Sequence, residues 1–464
     1  MIKTECRHFT CILTVAAKFQ NITSPRRINI NRRRFSSSLL QYLQPLELLI
    51  SELASALARN DCTTILRTMN CTIQRQGLRR LVLLPHSSIR QVYQNNNACG
   101  SSGSARYKST VTTIAESGIV SLPNRSLIRV SGRDAPRFLQ GLTTNNVDSS
   151  RTDGWYTGFL NATGRVVTDA FLWPLAPDAK GDWACLLDVD SSISERLRIY
   201  LRKHKLRSKV DIRQVEGAQV WTSWASEKPE DLPAYKTPEF EGDIMRSWGH
   251  LADPRLPGFS HRFITAVDTS IDMSGVPEAF INLPQVGLRQ YNLRRYLNGV
   301  PEGPQEMFSE HYQAHPSNLD VLSAVDFRKG CYVGQELTIR TEHTGVVRKR
   351  ILPVQIYNAG SPTPASLSYA PEGHDAHSIL FETKIVATGG KREAGKWLVG
   401  DGNVGLAMCR LESMTDAKVS AEGGTYTDQS EFSLNAEGAE NLRIKAFIPD
   451  WLRERLLKPR KPRS

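Results

Sequence analysis

Between Asp61 and Glu116 the chain contains no acidic residue, while Arg67, Arg75, Arg79, Arg80, Arg90 and Arg106 stand among Leu, Ile and Val. The formal charge of +12 belongs to this stretch and the residues before it. Residues 1–110 hold 16 Lys and Arg against 4 acids, and the rest of the chain holds 43 of each sign. The part able to fold is therefore neutral overall and has no field to draw it to nucleic acid. An Arg-rich, Ser-rich, acid-poor segment with basic amphipathic turns such as "GLRRLVLLP" and "SSIRQVY" reads as a mitochondrial transit peptide. Residues 1–110 are expected to form that leader, cut near Tyr107 in "ARYKS", with a matrix address. A disordered basic tail is the alternative. Met69 also opens a presequence-like stretch, so residues 1–68 can come from a different start.

No membrane span is expected. The most apolar long run, Leu39 to Ala58, carries Pro45, Glu47 and Glu52. Five of the eight cysteines, Cys6, Cys11, Cys62, Cys71 and Cys99, lie in the leader. Cys185, Cys331 and Cys409 remain, with no CxxC or Cys/His pair at zinc spacing, which argues against a disulfide framework.

With 464 residues the chain has room for two or three domains. Structure is expected from about Gly118. "SLIRVSG" alternates like a strand, and "DAPRFLQGL" follows with Asp134 as N-cap and Pro136 in the first turn. Gly154 to Leu175 reads as a hairpin turning at "NATG", and "WACLLDV" as another strand. Ser191 to Leu206 reads as a Ser-capped helix with Ile193, Leu197, Tyr200 and Leu201 on one side. Residues 118–345 thus form an α+β region of segregated antiparallel strands. Within it, the Pro- and acid-rich 227–243 reads as a loop or insertion, and Leu288 to Gly299 as a helix. Residues 346–455 hold short β segments broken by Gly and Pro, a small barrel or sandwich. Residues 456–464 form a basic tail. "GDGNVG", Gly400 to Gly405, has dinucleotide-loop spacing, but strand-like "LAMCRL" follows it, so it reads as a hairpin turn.

The chemistry concentrates in "KGCYVGQE", Lys329 to Glu336. Gly330 and Gly334 permit tight turns and close approach of a ligand or partner to Cys331. Arg328 and Lys329 precede the thiol, and neighbouring cations favour the thiolate that binds soft iron or attacks an electrophile. Arg340, Glu342 and His343 follow within a dozen residues. Taken alone, the octet is equally a buried cysteine at a glycine-rich domain junction, as Cys185 and Cys409 look like core residues in apolar strands.

The stretch from Val325 to Val354 resembles the signature of the YgfZ group, which is similar to the aminomethyltransferase (T-protein) of the glycine cleavage system. "RVSGRDAPRFLQGLTTNNV", "GFLNATGRVVTDAFLW", "RYLNGVPEGPQEM" and "PSNLD" resemble further parts of that family, covering most of residues 118–355. The resemblance implies a T-protein-like folate-binding α+β region around a central opening, with a C-terminal antiparallel β-barrel. It also implies a late-acting mitochondrial assembly factor that works with A-type scaffold proteins on 4Fe–4S clusters, for clients such as aconitase and lipoyl synthase. Cys331 takes the signature position, supported by Lys329, Gly330, Tyr332, Gly334, Gln335, Glu336 and Arg340. A single thiol does not hold a cluster by itself, so Cys331 is expected as one ligand of a transient, shared iron–sulfur cluster, or as a redox or transfer thiol.

The family's transfer aspartate is matched here by Asn146, which cannot act as a carboxylate base. This argues against tetrahydrofolate-dependent aminomethyl or C1 transfer, the alternative function. Tetrahydrofolate binding itself survives as an expectation, with Asn145, Asn146, Asn161 and Arg165 as pocket candidates, residue types more often found at turns or strand ends than as ligands. A third reading, a nucleophilic enzyme built on Cys331 and His343, has only their nearness in sequence behind it.

Overall fold

A computed structural model describes residues 113–457, except 178–180, 226–234, 242–243, 268–281, 372–375, 391, 422, 436–438 and 440. The leader, most of the insertion's first half and the end of the basic tail lie outside the described residues.

The first sheet is antiparallel, in the order β3-β4-β5-β2-β6. It is built from β2 (Arg125–Ser131), β3 (Trp155–Leu160), β4 (Val166–Leu175), β5 (Ala184–Asp190) and β6 (Asp211–Val215). Every residue of β3 and β4 is buried, because both faces of this sheet are covered. On one face Ile128, Val130, Val167 and Leu187 pack on helices α1 (Ala135–Gln140) and α2 (Ser191–Lys205) through Phe138, Leu139, Leu197 and Leu201. On the other face Leu127, Tyr156, Phe171 and Trp173 meet Val220, Trp224, Leu251 and Ile264 of a second sheet. That sheet runs β1-β7-β12-β11-β8, from β1 (Gly118–Ser121), β7 (Ala218–Trp224), β8 (Tyr235–Lys236), β11 (Gly249–Ala252) and β12 (His261–Ala266). A separate hairpin pairs β9 (Glu239–Glu241) with β10 (Ile244–Ser247). Helices α3 (Leu288–Asn298), α4 (Gly303–Glu306) and α5 (Gln335–Thr344) follow, linked by turn-rich chain.

The rest closes as an antiparallel barrel, β13-β16-β15-β14-β17-β18. Its strands are β13 (Lys349–Asn358), β14 (Lys384–Ala387), β15 (Glu393–Asp401), β16 (Val404–Arg410), β17 (Phe432–Leu434) and β18 (Leu442–Ala446), with helices α6 (Leu411–Met414) and α7 (Asp450–Leu457) beside them. "GDGNVG" is the β15–β16 hairpin: Asp401 pairs with Val404 and the turn is Gly402-Asn403. No helix of the described residues is long and apolar enough to cross a membrane.

Four local expectations are corrected. The cap of α2 is Asp190 rather than Ser191; its carboxylate accepts from the Ser192 N–H at 2.9 Å. Asp134 stands at the α1 cap position, but its carboxylate accepts from the Lys209 N–H at 2.6 Å and caps nothing. The second half of the insertion is strand, because Tyr235 donates its hydroxyl to the Pro174 carbonyl at 2.6 Å and β8 pairs with β11. Among the short β segments expected over 346–455, residues 377–387 are not one strand. A 3-10 turn at Ala376–Ser378 precedes β14, and Leu380 and Phe381 are exposed between them.

The two sheets and the segment from Val300 to Glu306 meet around buried charge. Arg125 of β2 and Arg262 of β12 both reach Asp188 of β5, at 2.6 and 2.9 Å. Arg255 forks onto Asp253 and reaches Glu302 at 2.7 Å, and Arg262 also binds Glu302. The Tyr291 hydroxyl of α3 donates to the same carboxylate at 2.8 Å. Asp169 of β4 accepts from the Gly303 N–H and the Tyr156 hydroxyl, both at 3.0 Å. Burial pushes the Glu302 carboxyl up, but Arg262, Arg255 and Arg125 outweigh it and hold it well below the usual range. Removing one partner of such a network leaves uncompensated buried charge. Glu302→Gln is therefore expected to lower the unfolding free energy by about 3–5 kcal/mol in a denaturant titration. A change below about 1 kcal/mol would mean that the guanidinium groups do not depend on this carboxylate.

Candidate functional site around Cys331

The signature is placed by its backbone. Gly334 begins α5 at φ +76°, a conformation that disfavours side chains, and it faces the β3–β4 turn. A Cβ there would lie 2.2 Å from the Asn161 carbonyl oxygen and 3.1 Å from the Gly164 Cα. Gly164, at φ +77°, meets the Gly334 carbonyl in return. The close approach that Gly334 permits is thus to the chain's own hairpin and not to a visitor. Gly330 differs: nothing lies within 4 Å of a Cβ built on it. Open space therefore adjoins Cys331, whose own side chain is exposed, while Cys185 and Cys409 are buried.

Lys329 is expected beside the thiol, but its ammonium is committed elsewhere. It donates to the carbonyls of Gln140, Thr143 and Asn145 at 2.9, 2.5 and 2.9 Å. Burial lowers it to about 7, with Asp326 acting against the fall. Three more hydrogen bonds join the signature to the 140–146 loop. Val333 N–H donates to Gly141, Asp326 N–H to Thr144, and the Thr144 hydroxyl to Ala324. Tyr332 is buried beneath Lys329, with Nζ 4.9 Å from the ring centre, and burial pushes its phenol up to about 12. The Gln335 side-chain oxygen accepts from the Tyr332 N–H at 3.2 Å. Arg328, Glu336 and Arg340 are exposed, the last two on α5.

His343 does not join Cys331. It lies in the last turn of α5, about 12 Å of helix rise from Gln335, and Cys331 precedes the first turn. No hydrogen bond links the two side chains among the described residues.

The four folate candidates flank the signature on two sides and bond to this chain's own groups. The Asn145 amide donates to Tyr156 and Ser323 carbonyls, and its oxygen accepts from the Asn146 N–H. The Asn146 oxygen accepts from the Gln140 amide at 2.8 Å. The Asn161 oxygen accepts from Thr163 and Arg165, closing the hairpin turn, and Arg165 donates to the His311 carbonyl at 2.8 Å. All three Asn oxygens already accept from this chain's own groups, and both Asn145 amide hydrogens are donated to its carbonyls.

Sequence reasoning missed the buried charges around Glu302. A signal exists in retrospect: Asp169 and Asp188 stand inside mostly apolar strands. An acid there is costly unless a partner arrives from elsewhere.

Fold and site together define a T-protein-like α+β body with a C-terminal barrel and an accessible signature thiol. The glycine cleavage system aminomethyltransferase T of Bartonella henselae shares the fold at 12% identity, with a TM-score of 0.51 over 74% of this chain and 88% of that one. Residues 348–454 match the family described as CAF17, C-terminal beta-barrel domain. The chain is 39% identical to "Iron-sulfur cluster assembly factor IBA57 homolog, mitochondrial" of Coccidioides immitis (strain RS), over 74% of this chain and 84% of that protein. It is 41% identical to the protein of the same description from Pyricularia oryzae, over 73% and 86%. The chain belongs to this family of IBA57-type iron–sulfur cluster assembly factors.

The two signature glycines are expected to separate structure from access. Gly334→Ala should lower the melting temperature by several degrees, because both φ and the Asn161 carbonyl forbid a side chain. Gly330→Ala should leave it unchanged. Equal melting of both variants would show that the hairpin contact does not hold the signature.

Proposed function

We propose that this chain acts late in mitochondrial iron–sulfur assembly, in the matrix, and helps to complete 4Fe–4S clusters. The observation that carries the reading is the Cys331 thiol, exposed beside open space on a rigidly tied segment. Clusters usually take four protein ligands, so one thiol serves a site completed by a partner. That partner is an A-type scaffold protein in this reading, and the cluster is cargo rather than a resident group. Clients are 4Fe–4S enzymes of the aconitase and lipoyl synthase type.

The test is complementation of cells lacking the gene. Wild type should restore aconitase activity and protein lipoylation. Cys331→Ser at equal abundance should not, and a 2Fe–2S enzyme should stay constant throughout. Normal 4Fe–4S enzymes in the empty-vector cells would end the reading.

Two finer parts have their own tests. Matrix delivery by the basic leader predicts a mature N-terminus close to residue 108, and intact Met1 in matrix protein would refute it. Tetrahydrofolate is proposed as a ligand on the strength of the fold, and it should raise the melting temperature. No shift at saturating ligand would remove it.

A further inference from the structure

The solvent face of α2 and the turn after it form a cationic surface on an otherwise balanced body. From Arg196 to Arg213 the sequence holds eight Lys and Arg and one acid, Asp211. Arg196, Arg198 and Arg213 are paired, with Glu310, Glu195 and Asp211. Arg202, Lys203, Lys205, Arg207 and Lys209 form no side-chain ion pair or hydrogen bond among the described residues. The last three of them, with Arg213, line an open cleft of about 910 Å³ that also touches Ser131 and Asp182.

An aliphatic side chain projects from the middle of this charge. Leu206 follows α2 at φ 45° and ψ −113°, strained for a residue with a Cβ, and it is 88% exposed. No packing offsets that strain. Ile199, seven residues earlier on α2, is 57% exposed. The apolar side of α2 is already used, since Ile193, Leu197 and Leu201 are buried against the sheet. The outer face is thus a second, separate pattern of cations around protruding aliphatics.

We propose that this face docks on an anionic phospholipid surface, with Leu206 entering the headgroup boundary and the five unpaired cations meeting lipid phosphates. A protein partner fits less well. The cations are long, solvated and not held in forks, which suits a diffuse array of phosphates. Protein hot spots are built instead from packed aromatics and fixed arginines. The proposal does not rest on the cluster-assembly reading, so either can fail without the other.

The basic leader can also bind anionic lipid, so the readout must resolve position along the chain. Amide hydrogen exchange of the full chain would be followed with phosphatidylcholine vesicles, with and without cardiolipin. Cardiolipin vesicles should slow exchange across residues 202–210, and high salt should abolish the effect. Each of Lys203→Gln, Lys205→Gln and Arg207→Gln should weaken that protection about fivefold, and the triple variant about a hundredfold. Leu206→Gly relieves the backbone strain, so it should keep or raise the melting temperature and still weaken binding. Protection confined to residues 1–110 would overturn the proposal. So would protection by polyglutamate but not by vesicles, which would assign the face to an acidic polypeptide. Unchanged binding in a folded triple variant would overturn it as well.

Discussion

Glu302 lies among three guanidinium groups that come from different parts of the fold. Arg125 belongs to the first sheet, Arg262 to the second, and Arg255 to the turn between β11 and β12. Buried charges of this kind add little net stability over apolar packing, but they tolerate few alternative arrangements. A slipped strand would strand a charge in the core. The network therefore fixes how the two sheets face each other, and it anchors the chain at Val300–Glu306, upstream of the signature segment. Arg295 extends it by forking onto Glu306, whose carboxylate accepts from the Glu302 N–H.

From that anchor the signature is held by close backbone contact rather than by side-chain bulk. The Gly164–Gly334 contact holds it on one side, and the three carbonyls around Lys329 hold it on the other. Between these two ties Gly330 and Cys331 face open space. In the role proposed for it, a thiol on a rigid, accessible segment would lose little freedom as one ligand of a shared site. The charged face at α2 adds a second exposed feature, built from cations that the fold leaves unpaired.

The elements were legible where local pattern decides them. The hairpin at "NATG", the amphipathic α2 and the Gly402-Asn403 turn all follow from periodicity and turn chemistry. The helix α5 escapes a local reading, because its apolar stripe is weak and its start is set by Gly334 against a distant hairpin. The cap of α2 went one residue astray because Asp190 and Ser191 are both good caps and only backbone geometry separates them.

By itself the sequence determined the neutral body behind a basic N-terminal stretch, the α+β region followed by a β domain, and the cysteine that carries the signature. These rest on composition, period and short motifs, which are local properties. Only the tertiary structure decided what the signature's neighbours do. Lys329 turns to backbone carbonyls 184 to 189 residues away in sequence, Gly334 serves a hairpin, and the Asn candidates close loops. It alone decided that Asp188 and Glu302 share Arg262, 114 residues apart in the chain. Partners of buried polar groups are chosen by the packing of whole sheets, and no local spacing encodes them.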